Sequence, residues 1–270
     1  MIKKVVQKLI ISGHILDLFK YKSPYYVGSS QQARPPRPNS SVAALDKKII
    51  NRQKSAWRSR SKVRRTLNTN AGYWYKEDGA PYPPVFLTLT HARRVTQPDE
   101  ANEIFTLYIQ RMNYHLYGKR AHNLKYLANI EFTKKDRIHN HLAIFNMPYL
   151  HKTEFQKIWG QGFIKVRAVD SVDNIGAYIC KYMGKNLDDP RLAGRKCYFP
   201  SMGLKKPIEI IDPEQIKNIL KDIPAEALKY HNIFGDEFGT EYTQYNIGQY
   251  KDINSISIAP LKELLLELAA

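Results

Sequence analysis

The sequence predicts an α+β fold, an antiparallel sheet with helices on one face, its elements following the order βαββαβα. Three observations predict it. Between positions 84 and 186, short apolar runs with two-residue alternation take turns with stretches of helical period. The segments joining them are short and polar, as antiparallel neighbours require. The chain of 270 residues is 43% hydrophobic and 25% charged, a globular balance that excludes wholesale disorder and fibrous repeats.

Val85 to Thr90 is the first strand of this order. Pro98, with Asp99, Glu100 and Glu103 behind it, opens a helix whose apolar stripe is Ile104, Leu107, Tyr108, Met112 and Leu116. Leu124 to Phe132 and Ile138 to Asn146 are strands separated by the polar turn Lys134-Lys135-Asp136-Arg137. His151 to Trp159 is a short helix, and Phe163 to Val169 a strand that alternates Lys165 and Arg167. Asp173 or Ser171 then caps a helix running to about Lys185. With short connections and one buried face, the order fits an arrangement similar to a ferredoxin or RRM domain.

Residues 1–28 read as a hairpin of two short strands about Ser12-Gly13, and 29–41, rich in Ser, Gln, Pro and Arg, as a linker. Residues 42–68 read as a basic helix. From Lys47 to Arg65 there are nine basic residues and no acidic one, with apolar residues interleaved. Such a run is either a solvated face or a surface for an anion. Repulsion within it favours phosphate contact by Arg52, Arg58, Arg60, Lys62, Arg64 and Arg65. In the extension 187–270, Asp212 to Tyr230 looks helical, Glu241 to Ile247 strand-like, and Pro260 to Ala269 a leucine-rich helix. No chemistry is assigned to it.

Lys and Arg number 42 against 25 Asp and Glu, so the net charge of +17 points to a polyanionic partner, nucleic acid foremost. No apolar run approaches a membrane span, and the apolar start is too short and broken for a signal peptide. With only two cysteines, a soluble cytoplasmic protein without membrane association is expected.

Three features of the core carry chemistry. His139-Asn140-His141 places two imidazoles on one face of a strand, roughly 6.6 Å apart. Alone, this also describes a pair of surface histidines. Parity brings in Glu131: if Tyr126, Ile130 and Phe132 are buried together with Ile138, Leu142 and Ile144, Glu131 falls on the face of His139 and His141. This holds only if the turn has an odd number of residues, which sets Glu131 opposite a histidine and not opposite Asn140. Two imidazoles and a carboxylate suit Mg²⁺ or Mn²⁺ with open positions, and a salt-bridged surface cluster is the alternative. Thirdly, the stretch Tyr178 to Lys185 contains Tyr-x-x-Lys twice. On a helix Tyr178, Lys181, Tyr182 and Lys185 share one face, opposite the core stripe Ile175, Ile179 and Met183. Either phenol becomes a nucleophile if its lysine favours the phenolate; otherwise the tyrosines are packing residues.

Together, Phe86-Leu-Thr-Leu-Thr90, Glu131 ahead of His139-x-His141, and the double Tyr-x-x-Lys helix resemble the HUH endonucleases that initiate rolling-circle replication of small phages, plasmids and single-stranded DNA viruses. The resemblance covers residues 84–186, with Asn140 standing where that family has a hydrophobe. It implies an HUH nicking and joining domain. Tyr178 or Tyr182 would attack single-stranded DNA at a replication origin and form a 5′-phosphotyrosine. Lys181 and Lys185 would assist, Glu131, His139 and His141 would hold the metal, and Thr88 and Thr90 would add DNA contacts. No Gly-x4-Gly-Lys-Ser/Thr sequence occurs, so a host helicase and polymerase are expected partners. An HUH transposase and a non-enzymatic single-stranded nucleic-acid binder are the alternatives.

Overall fold

The structure, a computed structural model, describes residues 2–28, 42–118, 122–169, 173–183, 189–192, 195–196 and 198–248, with backbone alone for 42–54, 183 and 190. The linker 29–41, Lys185 and the helix expected from Pro260 lie outside the described residues, as does the side chain of Arg52. Met1–Pro38 and Lys206–Ala270 form one compact unit, Asn39–Lys205 the other.

The first unit begins with β1 (Lys3–Ser12) and β2 (Ile15–Val27). The second contains α1 (Val42–Asn70), β3 (Val85–Thr90), α2 (Pro98–Tyr117), β4 (Tyr126–Phe132), β5 (Ile138–Ile144), α3 (Lys152–Trp159), β6 (Ile164–Ala168), α4 (Ile175–Met183) and β7 (Tyr198–Pro200). The chain then re-enters the first unit with β8 (Ile208–Ile210), α5 (Pro213–Lys221), β9 (Leu228–Ile233) and β10 (Thr240–Asn246).

The sheet of the second unit is antiparallel, in the order β6-β3-β5-β4-β7. Pro98 at its first turn starts α2, and Gly118 at φ 66° ends it by donating its N–H to the Tyr114 carbonyl. His151 and Glu154 form a capping box on α3. Phe105, Tyr108, Ile109 and Met112 of α2 and Phe155 and Trp159 of α3 bury against Leu87, Leu89, Leu142, Ile144 and Ile164 on one face of the sheet.

Helices cover the other face too, which corrects the expected one-sided arrangement. There Val63 and Leu67 of α1 and Ile175 and Ile179 of α4 pack on Phe86, Leu127, Ala143 and Phe145. The physical reason is that this face is apolar at one end of the strands, so it also has to be covered. Its other end carries Thr88, Thr90, Glu131, His139 and His141. The cap of α4 is likewise corrected. Asn174, not Asp173 or Ser171, accepts the Ala177 N–H, at 2.9 Å.

In the first unit the sheet order is β8-β1-β2-β10-β9, with Ile216 of α5 packed on Leu9, Ile11, Leu16 and Leu18. The hairpin strands are long, 10 and 13 residues, because β8 and β10 pair along them. The helix expected over 212–230 stops at Lys221, and Leu228 starts a strand; Pro224 between them lacks the N–H that continuation needs. Asp17, fully buried, accepts from the Tyr242 hydroxyl at 2.7 Å and from Gln244 at 2.8 Å. Among the described residues no helix is long and apolar enough to cross a membrane.

Candidate active site

Residues 133–137 join β4 to β5, with Asp136 in the left-handed region at φ 59° that an Asp tolerates in a turn. That odd number sets the register: Glu131 lies opposite His139, and Asn129 opposite His141. The pleat therefore turns Glu131, His139 and His141 to one face, together with Thr88 and Thr90 of β3 and Lys165 and Arg167 of β6.

His141 is buried, and its Nε2 lies 2.5 Å from Glu131 Oε2. A carboxylate only accepts, so Nε2 donates to it, and Nδ1, 3.2 Å from Thr88 Oγ1, accepts from that hydroxyl. Thr88 thus orients an imidazole, a role different from the DNA contact expected of it. Thr90 lies opposite His139, and its carbonyl accepts the Trp159 indole N–H at 3.1 Å. Burial, reinforced by the neighbouring His141, pulls the His139 pKa below its ordinary value and favours the neutral imidazole, the form that ligates metals.

The donor set fits a hard divalent cation: one carboxylate and two imidazoles on adjacent strands, with Nε2 of His141 turned toward the carboxylate. Among the described residues no three such side chains already stand as a closed metal cage. Glu131 and His141 would have to exchange their mutual hydrogen bond for an ion between them.

Asn140 points away from this face, as its position between the two histidines dictates. It is buried in the opposite layer and bonded to His91 Nε2 at 3.0 Å. Burial lowers the His91 pKa, and its ring meets Trp159 edge-on with centroids 5.2 Å apart. The sequence signals no role for this pair.

The tyrosine helix lies over the apolar end of the same face. Tyr178 and Tyr182 are half-buried against the cluster of Phe86, Leu127 and Ile179, so they do not turn away from the core. Both hydroxyls accept from one guanidinium nitrogen of Arg167, at 3.2 Å for Tyr178 and 2.7 Å for Tyr182. The guanidinium also lies 4.9 Å from the Tyr182 ring centroid. The hydrogen bond from Arg167, followed by one from Tyr178, holds the Tyr182 phenol below its ordinary pKa. The cation beside the phenols is therefore Arg167, where sequence spacing suggests Lys181 and Lys185. Lys181 instead lines a groove against α1. Alternation along β6 places Arg167 on this face, but only the β3–β6 register brings it under α4.

Phe86 links the two groups. Its ring stacks on His141 with centroids 5.7 Å apart and 10° between planes, and it lies 5.7 Å from the Tyr182 ring. One face of one sheet thus carries a carboxylate–imidazole pair, a second imidazole, and two phenols sharing a cation.

Of the expected DNA contacts, Arg58, Arg60, Lys62, Arg64 and Arg65 lie along the described part of α1. That helix is fixed to α4 at its C-terminal end. Asn68 Nδ2 donates to Asn174 Oδ1 at 3.2 Å, and Asn68 Oδ1 accepts the Gly176 N–H. A Cβ at Gly176 would collide with the Arg64 carbonyl, so only glycine permits so close an approach of the two helices.

Residues 84–187 match the model of a family described as replication-associated protein, ORF2 and gene-2 protein type. No significant match is found among curated proteins or among solved structures.

Proposed function

Taking residues 84–187 as a replication-associated segment, we propose that this chain is an HUH-type replication initiator that nicks and rejoins single-stranded DNA at an origin through a covalent 5′-phosphotyrosine. One observation carries the reading: the two phenols that share Arg167 sit on the sheet face that holds Glu131, His139 and His141. A protein that only binds a strand has no use for that convergence.

Arg167 supports the phenolate of Tyr182, whose oxygen forms a bond to the scissile phosphorus. The bond from that phosphorus to the 3′ oxygen of the preceding nucleotide breaks, and the freed oxygen takes a proton from solvent, which receives the phenolic proton. Tyr178, its ring 5.6 Å from that of Tyr182, is placed to make the second transesterification while the first tyrosine still holds DNA. Glu131, His139 and His141 would hold Mg²⁺ or Mn²⁺, with Thr88 fixing the His141 ring. When bound, such an ion polarises the phosphate and offsets charge developing on it. The ester conserves bond energy, so rejoining needs no nucleotide. Strand separation and extension fall to a helicase and polymerase of the host.

The test is incubation of the full chain with origin-containing single-stranded DNA and Mn²⁺, followed by a denaturing gel and peptide mass spectrometry. The expected result is a DNA-linked peptide containing Tyr178 or Tyr182. Absence of any covalent adduct, or attachment at a tyrosine outside 174–185, overturns the proposal.

A further inference from the structure

Between the outer sides of α1 and α4 runs an open groove of about 590 Å³ that the chemistry above does not use. From α1 it is lined by Trp57, Arg60, Ser61 and Arg64, and from α4 by Cys180 and Lys181. Trp57, Arg60 and Arg64 stand three and four residues apart, one stripe of a helix, and Lys181 faces that stripe. Among the described residues no acidic side chain lines it. Three cations gathered around one concavity repel one another and create a strongly positive potential that an anionic chain would relieve. Trp57, 64% exposed, presents a large apolar ring to solvent beside them.

An indole set among cations is the pairing that single-stranded nucleic acid recognises: bases stack on the ring while phosphates meet the charges. A duplex offers no free base face. The groove walls do not depend on side-chain chance alone, because the Cys180 thiol donates to the Arg60 carbonyl and the Gly176 approach clamps the helices together. Lys181 directly precedes Tyr182, so a strand lying in the groove would pass close to the phenols.

We propose that this groove seats single-stranded DNA beside the cut, with a base stacked on Trp57 and backbone phosphates on Arg60, Arg64 and Lys181. The proposal rests on the nicking function above for its choice of DNA, but it is tested by binding alone. Fluorescence anisotropy of a labelled thymidine 12-mer, in EDTA so that no cleavage interferes, would be measured with the full chain over a series of salt concentrations. Trp57→Ala is expected to weaken binding by about tenfold or more with the salt slope unchanged, and Trp57→Phe to restore most of it. The combined Arg60→Gln, Arg64→Gln, Lys181→Gln variant is expected to flatten the log–log salt slope by about two. Circular dichroism verifies that each variant is folded, and a 12-base-pair duplex, insensitive to Trp57→Ala, is the control. Trp57→Ala binding within twofold of the parent overturns the proposal, and tighter binding of a uridine 12-mer overturns DNA as the occupant. A normal adduct together with an indifferent Trp57 removes the groove and leaves the nicking function standing. Loss of binding in Trp57→Ala together with a parent that never forms an adduct does the reverse.

Discussion

Asn68 Oδ1 accepts the backbone N–H of Gly176 at 2.6 Å, joining positions 108 residues apart. Through that bond the basic helix, which lies outside residues 84–187, fixes the first turn of the tyrosine helix. Asn68 is 3% exposed, so Asn68→Ala leaves the Gly176 N–H and the Asn174 side chain short of partners in a dry site. The expected loss is about 1–3 kcal/mol of stability, read by chemical denaturation. Asn68→Asp keeps the acceptor and should lose less; an equal loss in both variants would locate the effect elsewhere.

The two phenols are not equivalent. Tyr182 lies closer to Arg167, and its pKa is the one held down. Tyr182→Phe should therefore slow the first adduct by roughly tenfold or more, and Tyr178→Phe should mainly impair strand transfer. Only the double variant should be inactive. The check is a gel that separates nicked from rejoined product; a stronger nicking defect in Tyr178→Phe would reverse the order.

Arg167→Ala removes the cation that lowers the Tyr182 pKa, so that pKa rises. A higher pKa means less phenolate at neutral pH. Adduct formation should fall roughly tenfold near pH 7 and recover as the pH rises, moving the alkaline limb of the pH–rate profile upward. An unshifted profile would show that Arg167 does not act through the phenols.

Cleavage should stop in excess EDTA and return with Mn²⁺ or Mg²⁺. His141→Ala and Glu131→Ala should each lower cleavage by at least about a hundredfold, with affinity for single strands nearly intact, since that affinity comes from Lys and Arg contacts. Cleavage that survives the chelator excludes the metal.

Asn140 separates stability from chemistry. Its amide holds His91 on the face away from the metal ligands, so Asn140→Ala should cost about 1–3 kcal/mol of stability by leaving a buried ring nitrogen unmet. Adduct formation per folded molecule should stay near the parent value, and a selective loss of cleavage would show that the strand transmits the change.

The register of Glu131 on His139 was legible because a pleat repeats every two residues and the turn between the strands is odd. The tyrosine pair was legible from helical spacing. Arg167 was not, since a cation on an edge strand acquires meaning only from which strand and helix lie beside it, a non-local fact. The packing of α1 was hidden for another reason. Its nine cations dominate the composition, while the contact rests on Val63, Leu67 and Asn68, three positions near one end. Short strands such as Tyr198–Pro200 and Ile208–Ile210 are too brief to show a period at all.

The first unit is assembled from both ends of the chain, and this sets a timetable for its birth on the ribosome. β2 needs β10 as its partner, and Leu18 meets Thr243 only after all of Asn39–Lys205 has been made. At about 5–20 residues per second, that delay is on the order of ten seconds. Throughout it the newborn hairpin offers Leu9, Ile11, Leu16 and Leu18 without β10 or α5, a span in which a chaperone or a neighbouring nascent chain can reach them first. The unit that bears the histidines and tyrosines, by contrast, closes within its own contiguous stretch of message and is complete while its companion still waits.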